Sequence, residues 1–217
     1  MHGYLSSKEA FAVQTEYFSK FFRVTAIDFL GFGHSKALTK PFSVDEYADW
    51  TKEVLSLLGV KKPHVVAHSF GCRVAVKLAS KDGDFFDKIV LTGPAGIIVN
   101  RGFSYRAKVK AYRLVKRFAP KLAEKRFGSA EYRTLSPVMK ESYKKIVNED
   151  LRVCAEKIEN ETLILEGARD TTTTLAEAEI YQNRLKRATL KVIDGGHFAF
   201  VDNPLVFNLN VEEFLYV

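Results

Sequence analysis

Residues 64–80 read HVVAHSFGCRVAVKLAS. A short apolar run, HVVAH, has the character of a buried strand, and from Phe70 onward the pattern turns helical. At the join stands Ser69, between His68 and Phe70, with small residues, Ala67 and Gly71, two positions to either side. The stretch therefore predicts a strand, a sharp turn carrying a hydroxyl, and a helix whose N-terminus points at that hydroxyl.

Outward from this unit, strand and helix patterns alternate. RVTAIDF (23–29) is an apolar, β-branched strand candidate, and SVDEYADWTKEVLSLLG (43–59) opens on a serine cap and ends in glycine, as helices do. KIVLTGPA, TLILEGARD and LKVIDGGH supply three further strands, with helices from about Leu175 to Leu185 and from Pro204 to the C-terminus. Alternation of this kind predicts an α/β fold, a mostly parallel sheet flanked by helices on both faces. The stretch 97–158 breaks the rhythm and reads as a helical cap inserted into a core made of 1–96 and 159–217.

The chain has 217 residues, 47% of them hydrophobic, which suits one substantial core. No window approaches the roughly 18 apolar residues that span a bilayer, and no basic-then-apolar leader opens the chain, so a cytoplasmic protein is expected. Two cysteines, Cys72 and Cys154, without metal spacing, read as free thiols. The net charge of +7 is concentrated: ten Lys and Arg against Glu124 alone lie between Arg101 and Arg126, and the rest of the chain is slightly acidic. There Ala111, Val115, Phe118 and Leu122 share one helical face. Such a basic amphipathic helix either docks on the core with its charges solvated or meets anionic lipid, an acidic substrate or a partner; without a recognised motif, nucleic acid is not expected.

In parallel sheets chemistry gathers at the carboxyl ends of the strands. Three residues stand there in the order Ser69, Asp170, His197, with the long insertion between the first two. With these motifs the chain resembles the α/β-hydrolase fold family, from His2-Gly3 to the C-terminal helix, and the cap segment GSAEYRTLSPVMKESYKKIVNEDL resembles those of a group of bacterial α/β hydrolases. The resemblance implies Ser69 as nucleophile, His197 as its base and Asp170 as the acid that orients the imidazole. It also implies the Phe70 and Tyr4 amides as oxyanion donors, and His68, Tyr4 and Phe198 near the substrate. The elbow departs from the family's G-x-S-x-G only in having Ala67 first. No cofactor and no metal are implied. An aspartate nucleophile, as in haloalkane dehalogenases and epoxide hydrolases of this fold, is excluded by Ser69; esterase, thioesterase, lipase-like, amidase, carbon–carbon bond hydrolase and perhaloperoxidase-like chemistry stay open, with a carboxylic ester or related acyl substrate the first expectation.

The family's opening strands have no counterpart ahead of Met1-His2-Gly3-Tyr4. One of them would lie between RVTAIDF and HVVAHS, so the expectation is either a truncated gene product, a sheet closed by another route, or a second chain, such as another copy, that supplies the missing pairing. A non-catalytic or inactive hydrolase-like protein that binds a small molecule or a partner is the alternative function.

Overall fold

The computed structural model describes residues 1–99 and 130–216. Four strands form one parallel sheet in chain order: β1 (Val65–His68), β2 (Ile89–Thr92), β3 (Thr162–Gly167) and β4 (Ala188–Ile193). Val65 lies opposite Ile89, Ile89 opposite Thr162, and Thr162 opposite Ala188. All residues of β2 and β3 are buried. Both faces of these strands are therefore covered, which is why their centres, residues 89–91 and 163–165, are apolar without alternation.

Two apolar layers sandwich the sheet. One joins Ile89, Leu91 and Ile164 to α2 (Val44–Leu57), α3 (Phe70–Lys81) and α7 (Leu175–Arg184). The other joins Val90, Leu163, Leu165 and Ile193 to Phe11, to Phe18 of α1 (Ala12–Phe18), to Phe200 of α8 (Ala199–Asp202) and to Phe207 and Val211 of α9 (Pro204–Tyr216). Helix α2 starts where the sequence says, on a capping box in which Ser43 and Glu46 each satisfy the other's backbone amide. Between β2 and β3 the described part of the insertion is helical: α4 (Ala130–Thr134), α5 (Pro137–Val147) and α6 (Arg152–Ala155). Buried Arg73 on α3 donates to the carbonyls of Ile146 and Glu149 and so ties the α5 end to the core. The basic face of 101–126 lies outside the described residues. No helix among the described residues is long and apolar enough to cross a membrane.

One expectation fails. RVTAIDF is not a strand: residues 23–29 carry no regular secondary structure and join no sheet, and Arg23 to Ala26 are exposed. A strand needs a neighbour, and none of the described residues pairs with this segment. Nor does the sheet close by pairing RVTAIDF with HVVAHS. On the side of β1 away from β2 Met1 is bonded, its amine donating to the Val66 carbonyl at 2.7 Å and its carbonyl accepting from the His68 amide at 3.0 Å.

Candidate active site

At the end of β1 the chain turns into α3 through Ser69, whose φ of 49° and ψ of −107° lie in a region that residues with a side chain rarely occupy. The turn is pinned on both sides. The Ser69 amide donates to the Thr92 carbonyl at the end of β2, and the Ser69 carbonyl accepts from Cys72. Gly71 is required by close approach, since a Cβ there would lie 2.5 Å from the Met1 carbonyl oxygen. Ala67, fully buried within β1, holds the first small position of the turn.

His197 follows β4 on the Gly195-Gly196 turn, and Asp170 follows β3. The imidazole Nδ1 and the Asp170 Oδ2 are 2.7 Å apart. Asp170 is nearly buried, and burial pushes its carboxyl up; the bond to His197 and the Thr172 amide outweigh that and hold it down to about 2. With Nδ1–H donating to a carboxylate, Nε2 is the ring nitrogen left to accept a proton. No hydrogen bond joins the Ser69 hydroxyl to His197 in this structure, a looseness common in sites without substrate.

The N-terminal turn lies directly against the elbow. A Cβ on Gly3 would stand 2.9 Å from His68 Nδ1 and 3.5 Å from Ser69 Cβ. His2 holds this turn in place: it is buried, its Nε2 accepts from the Phe29 amide at 3.0 Å and its Nδ1 bonds the Gly3 carbonyl. Burial lowers the His2 imidazole to about 4, so the ring stays neutral and can accept at Nε2. Tyr4 packs edge-on against Phe70 and Phe32, and its hydroxyl donates to the Met139 carbonyl of α5. The amides of Tyr4 and Phe70 are committed to no other hydrogen bond among the described residues.

His68 is 1% exposed and bonds the His197 carbonyl through Nε2 at 2.9 Å. Its surroundings, Phe198 and Phe200, make it a packed support of the His197 loop. Burial, then the His197 charge, lowers it to about 3. Phe198, by contrast, is 44% exposed beside His197. The structure thus brings Asp170 and His197 into contact and sets Ser69, Phe70 and Tyr4 around one turn.

Several members escape a reading of the sequence. Thr173 donates its hydroxyl to Asp170 Oδ2 at 2.9 Å and lies 3.2 Å from His197 Nδ1. The run of threonines after Asp170 is a signal for it, because an aspartate followed by hydroxyl residues builds a side-chain-to-backbone turn. A capping box formed by Thr174 and Glu177 opens α7. Gly93, with a φ of 51°, lets β2 end against the site: a Cβ there would be 3.1 Å from His197 Nδ1 and 3.3 Å from Asp170 Oδ2. Glu166, fully buried on β3, carries a carboxyl pushed up to about 9 by burial and by the charge of Asp170. Glu9, Asp28 and His34 bring ligand-type atoms within 4.8 Å of one another, but Asp28 is already engaged by Lys8 and by the Lys8 and His34 amides, and no triad residue belongs to the cluster.

Comparison with known proteins agrees with this architecture. A family model described as alpha/beta hydrolase fold matches residues 1–204. A probable lysophospholipase of Arabidopsis thaliana, BODYGUARD 3, is 34% identical over 128 residues, which cover 56% of this chain and 25% of that protein. The 3-oxoadipate enol-lactonase 2 of Acinetobacter baylyi is 23% identical over 225 residues, 92% of this chain and 80% of the lactonase. The chain thus spans about a quarter of the plant relative. Among solved structures, an esterase from Exiguobacterium antarcticum superimposes with a TM-score of 0.78 at 21% identity, covering 100% of this chain and 90% of the esterase. A hydrolase from Pseudomonas aeruginosa does so with a TM-score of 0.79 at 21% identity, covering 100% and 88%.

Proposed function

The chain belongs to the α/β-hydrolase family, and from that premise we propose that it is a serine hydrolase acting on a carboxylic ester or related acyl substrate through an acyl-enzyme. The observation that carries the proposal is the strained Ser69 turn set at the end of β1 in the same site as the His197–Asp170 pair. Lysophospholipase, enol-lactonase and esterase, the names borne by the relatives, share cleavage of an acyl–oxygen bond, which favours an ester over the other acyl chemistries.

In this mechanism Ser69 Oγ attacks the acyl carbon while His197 Nε2 takes its proton, and Asp170 stabilises the imidazolium through Nδ1. The amides of Phe70 and Tyr4 donate to the oxyanion, reinforced by the N-terminal dipole of α3. The alcohol leaves with the proton from His197. Water, deprotonated by the same imidazole, then attacks the acyl–Ser69 carbonyl and releases the acid. Tyr4 and Phe198 border the substrate, and His68 supports the His197 loop from beneath.

The test is labelling of the purified chain with a serine-directed fluorophosphonate, beside Ser69→Ala and His197→Ala, with intact mass and peptide mapping to place the adduct. An adduct on Ser69 that vanishes in both variants is expected. A folded chain that takes no label would sink the hydrolase reading and favour a hydrolase-like binding protein.

A further inference from the structure

Residues 171–174 are four threonines in a row, and one of them is buried. Thr171, Thr172 and Thr174 are exposed, whereas Thr173 is 5% exposed, with its hydroxyl against Asp170 and His197. Its place is fixed from both sides. The Thr173 amide donates to Asp170 Oδ1 at 3.1 Å, and the next residue, Thr174, enters the capping box that opens α7. The hydroxyl therefore arrives on backbone that the fold holds. The imidazole, by contrast, hangs on the Gly195-Gly196 turn, and a carboxyl group rotates easily about its own χ2.

A carboxylate offers about four lone-pair sites, and those of Asp170 meet four donors. Oδ1 accepts from the amides of Thr172 at 2.7 Å and Thr173 at 3.1 Å; Oδ2 accepts from His197 Nδ1 at 2.7 Å and from the Thr173 hydroxyl at 2.9 Å. The same hydroxyl oxygen lies 3.2 Å from Nδ1. Gly93 borders Oδ2 and Nδ1 as well but brings no side chain, so among the described residues Thr173 is the side chain that bonds both members of the pair. A hydroxyl has a single proton to give. Given to the carboxylate, it makes a charge-assisted bond, stronger than one to a neutral ring nitrogen. The hydroxyl oxygen then turns lone pairs toward Nδ1. An Nδ1 that carries hydrogen finds a second acceptor there; an Nδ1 without hydrogen would set its own lone pair against those of the hydroxyl and the carboxylate.

We propose that Thr173 is a positioning residue of this site: its hydroxyl, shared between Asp170 and His197, orients the carboxylate and fixes the imidazole tautomer, so that Nε2 stays free to take the Ser69 proton. The inference rests on the serine-hydrolase reading above. Thr173 touches no substrate in this scheme and acts through the pair it holds. What matters is its hydroxyl, and its branched shape is secondary.

Three substitutions in the full chain separate hydroxyl from shape. Thr173→Val keeps the branched shape and removes the hydroxyl, Thr173→Ser keeps the hydroxyl and removes a methyl, and Thr173→Ala removes both. The readout is the rate of fluorophosphonate labelling at Ser69, which depends on the base and needs no known substrate; melting curves identify the folded variants. Val and Ala are each expected to label about ten- to a hundredfold more slowly than the parent, and Ser within about threefold of it. Thr171→Val, at an exposed neighbour, should label as the parent does. Either hydroxyl-free variant, if folded, suffices for the comparison with serine. A valine chain that labels at the parent rate, or a serine chain as slow as alanine, would overturn the role of Thr173 and leave the hydrolase reading standing. A folded parent that takes no label would instead sink the hydrolase reading, and this inference with it.

Discussion

Asp170 and Met1 each bring an ionisable group into the interior at the sheet, and the surroundings of the two groups differ. The Asp170 carboxylate has an imidazole, two amides and a hydroxyl around it, and together they outweigh the cost of burial. The Met1 amine is buried with one carbonyl, that of Val66, and burial lowers it to about 5. One region is organised around a charge it is built to keep. The other pushes its charged group toward neutrality, because burial strips the ammonium of water and leaves it the Val66 carbonyl as acceptor.

The sharpest way to break this comparison is at the elbow, where the fold holds strain. Ser69→Ala should remove fluorophosphonate labelling and lower ester turnover by about 10⁴-fold or more. Ser69→Gly should be equally inactive yet more stable than the parent, by about 1–3 kcal/mol in chemical denaturation, because glycine tolerates a φ of 49°. An inactive glycine variant with unchanged stability would mean that the turn stores no strain.

Asp170→Asn probes the compensated charge. Turnover should fall by about 10³- to 10⁴-fold, since an amide does not hold the imidazole tautomer or stabilise its charged form. The folded carboxyl lies below its ordinary 3.8, so it contributes stability present above that value and lost as pH falls toward about 2. Melting curves of parent and variant should therefore converge between about pH 4 and pH 2. Gly93→Ala tests the packing of the same pair: its Cβ would press on His197 and Asp170 from a left-handed backbone, and a loss of about 10²-fold in kcat with little change in KM is expected.

Much of this end of the molecule is legible in the sequence. The three residues at the ends of β1, β3 and β4 announce themselves because strand runs are short, apolar and followed by residues of known chemistry. The supports are harder to read. Gly93 looks like any turn glycine until β2 is placed beside β3, and His68 looks like a pocket residue until its ring is found under the His197 carbonyl. RVTAIDF marks the limit of local pattern: its composition is that of a strand, yet strand formation depends on a neighbour that the local pattern does not contain.

Glu166→Gln extends the comparison to a charge the fold excludes. The parent carboxyl is raised to about 9, so its folded state keeps a proton that the unfolded chain gives up above its ordinary 4.5. Stability from this group is fully present below about 4.5 and is lost as pH rises to about 9. Because Glu166 is locked inside β3, it cannot reach water without breaking the sheet. Glutamine should therefore raise the melting midpoint by several degrees at pH 9 and by little at pH 5. Equal shifts at both values would place the carboxyl in contact with solvent.

Met1 runs the opposite way and is expected to show the smallest effect. Its folded amine lies at about 5 against an ordinary 8.0, so the unfolded chain binds a proton that the folded chain refuses, and stability falls as pH drops from about 8 to about 5. Unlike Glu166, a terminal residue has an escape. Protonated Met1 can leave β1 at the cost of two hydrogen bonds, which caps the loss at about 1–3 kcal/mol. Acetylating the terminus keeps one N–H for the Val66 carbonyl and removes the titration. The parent should therefore lose up to a few degrees relative to the acetylated chain between pH 8 and pH 5, well above the window in which Asp170 acts. The acetyl group itself adds a constant offset, so the slope against pH is the quantity that decides. Parallel curves would show that the amine is solvated and that the contrast between the two buried groups does not exist.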